Sequence, residues 1–137
     1  MKRVTGLGGI FFKSSDSIAL KEWYTKHLGI ATDQYGATFS WQSQAGHTGH
    51  TVWSLFKKDT DYFNPGEQDY MINYRVENLE ALLQVLREEG VQVVGEMEVT
   101  DYGKFGWIMD PEGHKMELWE PVNDEFGKMM ESVNISE

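Results

Sequence analysis

The chain has no cysteine. Disulfide frameworks, thiolate metal sites and cysteine nucleophiles are therefore excluded, and a thiol-free chain fits a reducing compartment. Proline is scarce, at three residues, and two of them sit inside turn signals, Asn64-Pro65-Gly66 and Asp110-Pro111-Glu112-Gly113. Positive charge is also short. Twelve basic side chains face twenty-two acidic ones, a formal net charge of -10, and such a field repels nucleic-acid phosphates and anionic membrane surfaces. The acidity serves solubility in its plain reading and draws a cationic ligand in its sharper one. No long apolar run follows Met1-Lys2-Arg3-Val4, so neither a secretory leader nor a membrane span is expected, and the cytoplasm is the default location.

What is present suggests one domain over residues 1–137, long enough to bury a core without covalent staples. The most informative stretch is 103–121. Asp110-Pro111-Glu112-Gly113 combines a side chain that bonds its own backbone, a fixed φ and a residue free to take positive φ, so the chain reverses there and its flanks pair as a hairpin. After the turn, Lys115, Glu117 and Trp119 alternate with Met116 and Leu118, the period of a strand with two unlike faces. Glu117 is the carboxylate that calls for an explanation.

Residues 4–13 read as a strand, and Ser14-Ser15-Asp16 offers N-caps for a helix with Leu20, Trp23, Tyr24, His27 and Leu28 on one face, closed by Gly29. Two or three strands follow, over 35–41 and 51–56, with 42–50 as a polar loop between them. Residues 57–69 have no sustained period and read as a connector. Then the plan repeats. A strand over 71–76, an N-cap at Asn78 and a stripe of Leu79, Leu82, Leu83 and Leu86 closed by Gly90 restate the opening; shifted by 62 residues, Ile10 meets Ile72, Phe12 meets Tyr74 and Leu20 meets Leu82. Tyr35-Gly36 with Phe39 and Trp41 is echoed by Tyr102-Gly103 with Phe105 and Trp107, and Gly49-His50 by Gly113-His114. The expected fold is α+β: two βαβββ modules, 4–56 and 70–121, sharing one structure, because a half of this size cannot bury both a helix and a sheet face alone. Residues 122–137 carry Phe126, Met129, Met130 and Val133 at helical spacing, an amphipathic helix serving as a cap or a subunit contact.

A doubled βαβββ unit, a first helix ending in Trp-Tyr-x-x-x-Leu-Gly and a closing Asp-Pro-x-Gly-x-x-x-Glu-Leu together resemble the vicinal oxygen chelate superfamily, which holds glyoxalases, bleomycin-resistance proteins and extradiol dioxygenases. The resemblance spans 4–121. It implies a U-shaped sheet around a cleft, a homodimer, and, in metal-dependent relatives, ligands on the first and last strands of each half. Carried over by position, those places fall on Gly9, on Met71, on Ser54 or, one residue out of register, Trp53, and on Glu117. Glu117 alone keeps a ligand, whereas a catalytic metal of this kind needs about three from His, Asp or Glu. No cofactor is therefore expected, with a divalent metal as the alternative; His27, His47, His50 and His114 read as structural or surface residues.

With the resembled ligand positions facing inward, alternation places Gly9, Phe11, Lys13, Met71, Asn73, Arg75, Glu117 and Trp119 on the cleft, joined by Trp107 and with Trp53 less firmly placed. An aromatic, Met-rich lining with few polar groups suits a small organic molecule, aromatic and, given the net charge, cationic. Two function classes follow: metal-free binding and sequestration, or a lyase or isomerase in which Glu117 acts as general base beside Arg75 or Asn73.

Overall fold

A computed structural model describes residues 2–42 and 46–122. Its elements are β1 (Val4–Ser14), α1 (Ser17–Leu28), β2 (Ala37–Gln42), β3 (Thr48–Lys57), β4 (Tyr70–Val76), α2 (Leu79–Glu88), β5 (Glu98–Thr100), β6 (Gly103–Met109) and β7 (Lys115–Pro121). The fold is α+β, with one sheet in the order β2-β3-β1-β4-β7-β6-β5. No helix among the described residues is long and apolar enough to cross a membrane. The amphipathic helix expected over 123–137 lies outside the described residues.

The internal repeat is built into the sheet. β1 and β4, the first strands of the two halves, lie antiparallel at its centre, and Ile10 pairs with Ile72, the very residues that the repeat superposes. On either side the last strand of each half runs parallel to its own first strand, β3 beside β1 and β7 beside β4. Gly36 and Gly103, equivalent in the repeat, both take positive φ (114° and 123°), and a Cβ on either would run into the backbone at Trp53–Ser54 or Glu120–Pro121. Glycine is needed at both places because the chain enters the strand pressed against its partner. The first half carries two described strands after its helix, with an isolated Asp33–Gly36 bridge ahead of β2.

Both helices sit on one face. α2 buries Leu79, Leu82, Leu83 and Leu86 against Val76, Ile108 and Leu118, with Tyr74 and Met116 at the margin. The stripe read from the sequence thus packs as one side of a core. α2 starts where Asn78 accepts from the Ala81 N–H at 3.1 Å and the Glu120 carboxylate accepts from the Leu79 N–H at 2.8 Å. Asn78→Ala should cost about 1 kcal/mol, measured by urea unfolding, because one helix N–H loses its acceptor. α1 is different. None of its residues is buried, and Trp23, on the apolar face read from the sequence, is 50% exposed. Its aromatic contacts run through Tyr24, 4.9 Å from the Trp53 ring and 6.2 Å from Phe12.

That packing fixes the face of Trp53. β1 and β3 register Ile10 with Trp53 and Phe11 with Ser54, so Trp53 points to the helix side with Phe12, and Ser54 shares the cleft side with Phe11. Trp53 as a cleft residue is thereby corrected: a single residue of register moves a whole strand's side chains to the other face.

Candidate functional site

The turn behaves as its residues dictate. Asp110 Oδ1 accepts from the Glu112 and His114 N–H groups at 2.9 Å each, Asp110 Oδ2 lies 2.8 Å from His114 Nδ1, and Gly113 takes φ 87°. With the reversal fixed, β6 and β7 register Trp107 against Glu117 and Phe105 against Trp119, while β4 sets Asn73 beside Glu117 and Arg75 beside Trp119. Three strands thus deliver their cleft-side residues to one place.

Glu117 is the centre of it, 3% exposed. Oε1 accepts from Asn73 Nδ2 at 2.6 Å; Oε2 accepts from Trp107 Nε1 at 2.9 Å and from the Tyr62 hydroxyl. Every donor is neutral. Burial pushes the Glu117 carboxyl above its ordinary range, against the pull of these hydrogen bonds and of the Lys115 ammonium. Lys115 is the cation whose charge reaches Glu117, and burial in turn lowers its own pKa. The Tyr62 hydroxyl is pushed well up, first by burial and then by the adjacent carboxylate.

Tyr62 is the residue that sequence reasoning missed. It belongs to the connector over 57–69, which lies across the cleft side of the sheet. Phe63, wholly buried, packs with Phe11, Met71 and Trp107. Lys115 Nζ donates to the Tyr62 carbonyl at 2.6 Å, Gln68 Nε2 donates to the Lys115 carbonyl at 2.9 Å, and the Lys13 N–H donates to the Asp69 carbonyl at 2.8 Å. The one hint in the sequence was an aromatic pair, Tyr62-Phe63, directly before a Pro-Gly turn in an otherwise polar segment.

The remaining expected residues fall into two groups. Phe11, Met71 and Trp107 form the floor beneath Phe63, and the Lys13 ammonium lies 5.6 Å from the Phe63 ring. Arg75 and Trp119 form a separate stack: the Arg75 guanidinium lies 5.7 Å from the Trp41 ring and 5.2 Å from the Trp119 ring, and Phe105 stacks on Trp119 at 5.8 Å. Gly8 makes room for this group, since a Cβ there would collide with Asn73 Oδ1 and lie 2.9 Å from the Trp119 ring. Asn73 is 2% exposed, and its Oδ1 accepts no hydrogen bond from the described residues. An open groove of about 720 Å³ lies apart from all these residues, against Ser14, Asp16, Lys57 and Lys58 at the start of α1.

Gly9, Ser54, Met71 and Glu117, the places that the resemblance assigns to metal ligands, lie on β1, β3, β4 and β7. Among the described residues, no three His, Asp or Glu side chains come together closely enough to hold an ion.

A sheet whose two halves are βαβ-type repeats paired through their first strands, with a carboxylate on the last strand of the second half, defines a paired-module cleft protein. The chain belongs to the Glyoxalase/Bleomycin resistance protein/Dioxygenase superfamily, whose sequence model matches residues 12–118. Solved structures of the same fold include methylmalonyl-CoA epimerase from Mycobacterium tuberculosis, 20% identical, with 93% of this chain and 95% of that one covered at a TM-score of 0.60. A variant of the Streptomyces coelicolor methylmalonyl-CoA epimerase, bound to 2-nitronate-propionyl-CoA, is 18% identical, with 87% and 99% covered at a TM-score of 0.65. The Mn(II)-bound glyoxalase from Novosphingobium aromaticivorans is 21% identical over 89% of this chain and 40% of that one, with a TM-score of 0.58. No curated protein matches the sequence.

Proposed function

We propose that the cleft side of the sheet binds a small organic molecule against Glu117, in a site that works without a metal ion. The observation that carries this is the Glu117 carboxylate itself. Both of its oxygens are held by neutral O–H and N–H donors from Tyr62, Asn73 and Trp107, and the positions where a metal would need further ligands hold a glycine, a serine hydroxyl and a methionine thioether. That donor set does not fit a divalent ion, which asks for about three His or carboxylate ligands. It fits a carboxylate kept as a hydrogen-bond acceptor for a guest, with the rings of Phe56, Tyr62 and Trp107 around it.

A second reading is favoured by one specific feature, the raised pKa of a buried carboxyl in contact with a phenol. Such a carboxyl is suited to take a proton from carbon next to a carbonyl and return it, the work of an isomerase, with the Tyr62 O–H placed to donate to the oxygen that gains charge. Methylmalonyl-CoA epimerases share the fold, and that likeness supports the reading without carrying it, because one fold hosts many chemistries.

One experiment separates the two. The chain is screened by NMR against a panel of small aromatic and carbonyl compounds, following the indole N–H signals of Trp107 and Trp119, and any binder is incubated in D2O. Binding alone shifts the signals with no deuterium uptake. Proton transfer adds deuterium to the ligand at a rate that Glu117→Gln lowers at least about a hundredfold with affinity retained. No shift with any compound at millimolar concentration overturns both.

A further inference from the structure

Resting on the reading of this face as a ligand site, we infer that Tyr62 is an internal occupant of it, and that the ligand it stands in for is a small neutral aromatic with a single ring-bound O–H or N–H donor, which binds by exchanging with Tyr62.

The Tyr62 side chain is held as a ligand would be. Its ring stacks on Phe56 at 5.7 Å with 21° between planes and meets Trp107 edge-on at 6.2 Å and 90°. Its hydroxyl reaches the buried Glu117 carboxylate. Tyr62 is nevertheless 36% exposed, so the ring enters from the surface, whereas its neighbour Phe63 is wholly buried and anchors the connector. An exposed ring on an anchored segment can leave without unfolding the floor beneath it.

The geometry also selects the guest's charge. The Lys115 ammonium lies 5.3 Å from the Tyr62 ring and 5.5 Å from the Trp107 ring, the place a cationic guest would take. A second cation would meet the first in a site of low dielectric. A ring without a donor would leave a Glu117 lone pair unserved, and a donor without a ring would lose the Phe56 and Trp107 faces. The cationic guest suggested by the net charge thus gives way to a neutral donor-bearing ring.

p-Cresol, which is the Tyr62 side chain cut free, is the probe; toluene and benzylammonium are the controls. Two signals are read in the wild-type chain: the Trp107 indole N–H by NMR, and the rate of trypsin cleavage after Lys57 and Lys58 at the exposed start of the connector. p-Cresol should shift the indole and speed cleavage at least about fivefold, with toluene and benzylammonium at least about tenfold weaker on both. Tyr62→Phe, which keeps the ring but gives up the competing hydroxyl, should bind p-cresol about tenfold more tightly. Binding of p-cresol with cleavage unchanged, equal binding of toluene, or a Tyr62→Phe affinity no better than wild type would make Tyr62 fixed packing and overturn the inference. A shift from other panel compounds with no response to p-cresol would overturn it too, while leaving the binding function in place. Silence of both indoles toward every compound would remove the two together.

Discussion

Glu117→Leu is expected to destabilise the fold by about 3 kcal/mol, read as a lowered urea midpoint at pH 7. Leucine fills much of the same volume, so the loss is polar. Asn73 Nδ2 and Trp107 Nε1 are buried donors that bond to Glu117, and each costs about 1–3 kcal/mol when left without an acceptor. Relief of a buried carboxylate offsets part of this. Glu117→Gln should cost less than about 1 kcal/mol, for a reason visible in the wild type. The new amide N–H needs an acceptor, and turning the Asn73 amide presents Oδ1, which has no partner among the described residues.

The same pair of proteins tests the electrostatics. A carboxyl whose folded pKa is raised binds its proton more tightly in the native state than in the unfolded one. Its contribution to stability is therefore fully present below the ordinary glutamate value of 4.5 and is lost as pH rises through the folded pKa. Measured against Glu117→Gln, wild type should be relatively more stable near pH 4 than at pH 7. A difference that is flat across this range, or that grows with pH, would mean that hydrogen bonding rather than burial sets the proton affinity of Glu117.

Much of the architecture was legible because the sequence states it twice. A repeat can be read without knowing any contact, and Ile10 pairing with Ile72 at the centre of the sheet is the repeat's symmetry made physical. The second half was also easy locally. Its helix carries a leucine stripe that a core demands, and its hairpin a turn that only one geometry satisfies, so the cleft side of β7 followed by counting in twos from Lys115 to Glu117 to Trp119. In the first half the signals were weaker. The face of Trp53 depended on the register across a polar loop over 42–50, where no side chain sets the count. The aromatic stripe of α1 promised burial, but Trp23 and Leu28 remain exposed, because a stripe reports where a helix could bury surface and not whether the sheet meets it.

The site was half legible for a related reason. Residues on strands announce their face by alternation; a residue on an aperiodic segment does not. Asn73, Trp107 and Glu117 could be placed together, but Tyr62 could not, since nothing in the connector's local sequence ties it to Glu117. Lys115 was visible in the alternation of β7, yet its role depends on the Tyr62 and Trp107 rings and could not be assigned before they were brought together.

Phe63→Ala is the change that should strike the connector hardest, with an expected loss of about 3–5 kcal/mol in urea unfolding. Phe63 has no exposed surface, packs in one cluster with Phe11, Met71 and Trp107, and meets the Phe56 ring at 5.2 Å. Truncation leaves a cavity that the sheet side cannot close, because Phe11, Met71 and Trp107 are fixed by strand register. The connector, however, can relax away from it, held only by the hydrogen bonds of Lys115, Gln68 and Asp69 and by the Tyr62 side chain among the contacts described above. Trypsin cleavage after Lys57 and Lys58 should accordingly rise by an order of magnitude or more even under conditions where the folded fraction by circular dichroism is unchanged. Tyr62→Ala, by contrast, should raise those cleavages only about fivefold, as displacement of the ring by p-cresol does, since Phe63 still anchors the segment. If the two variants behaved alike, the division of labour between an anchoring Phe63 and an exchangeable Tyr62 would be wrong, and the connector would be a single rigid part of the core.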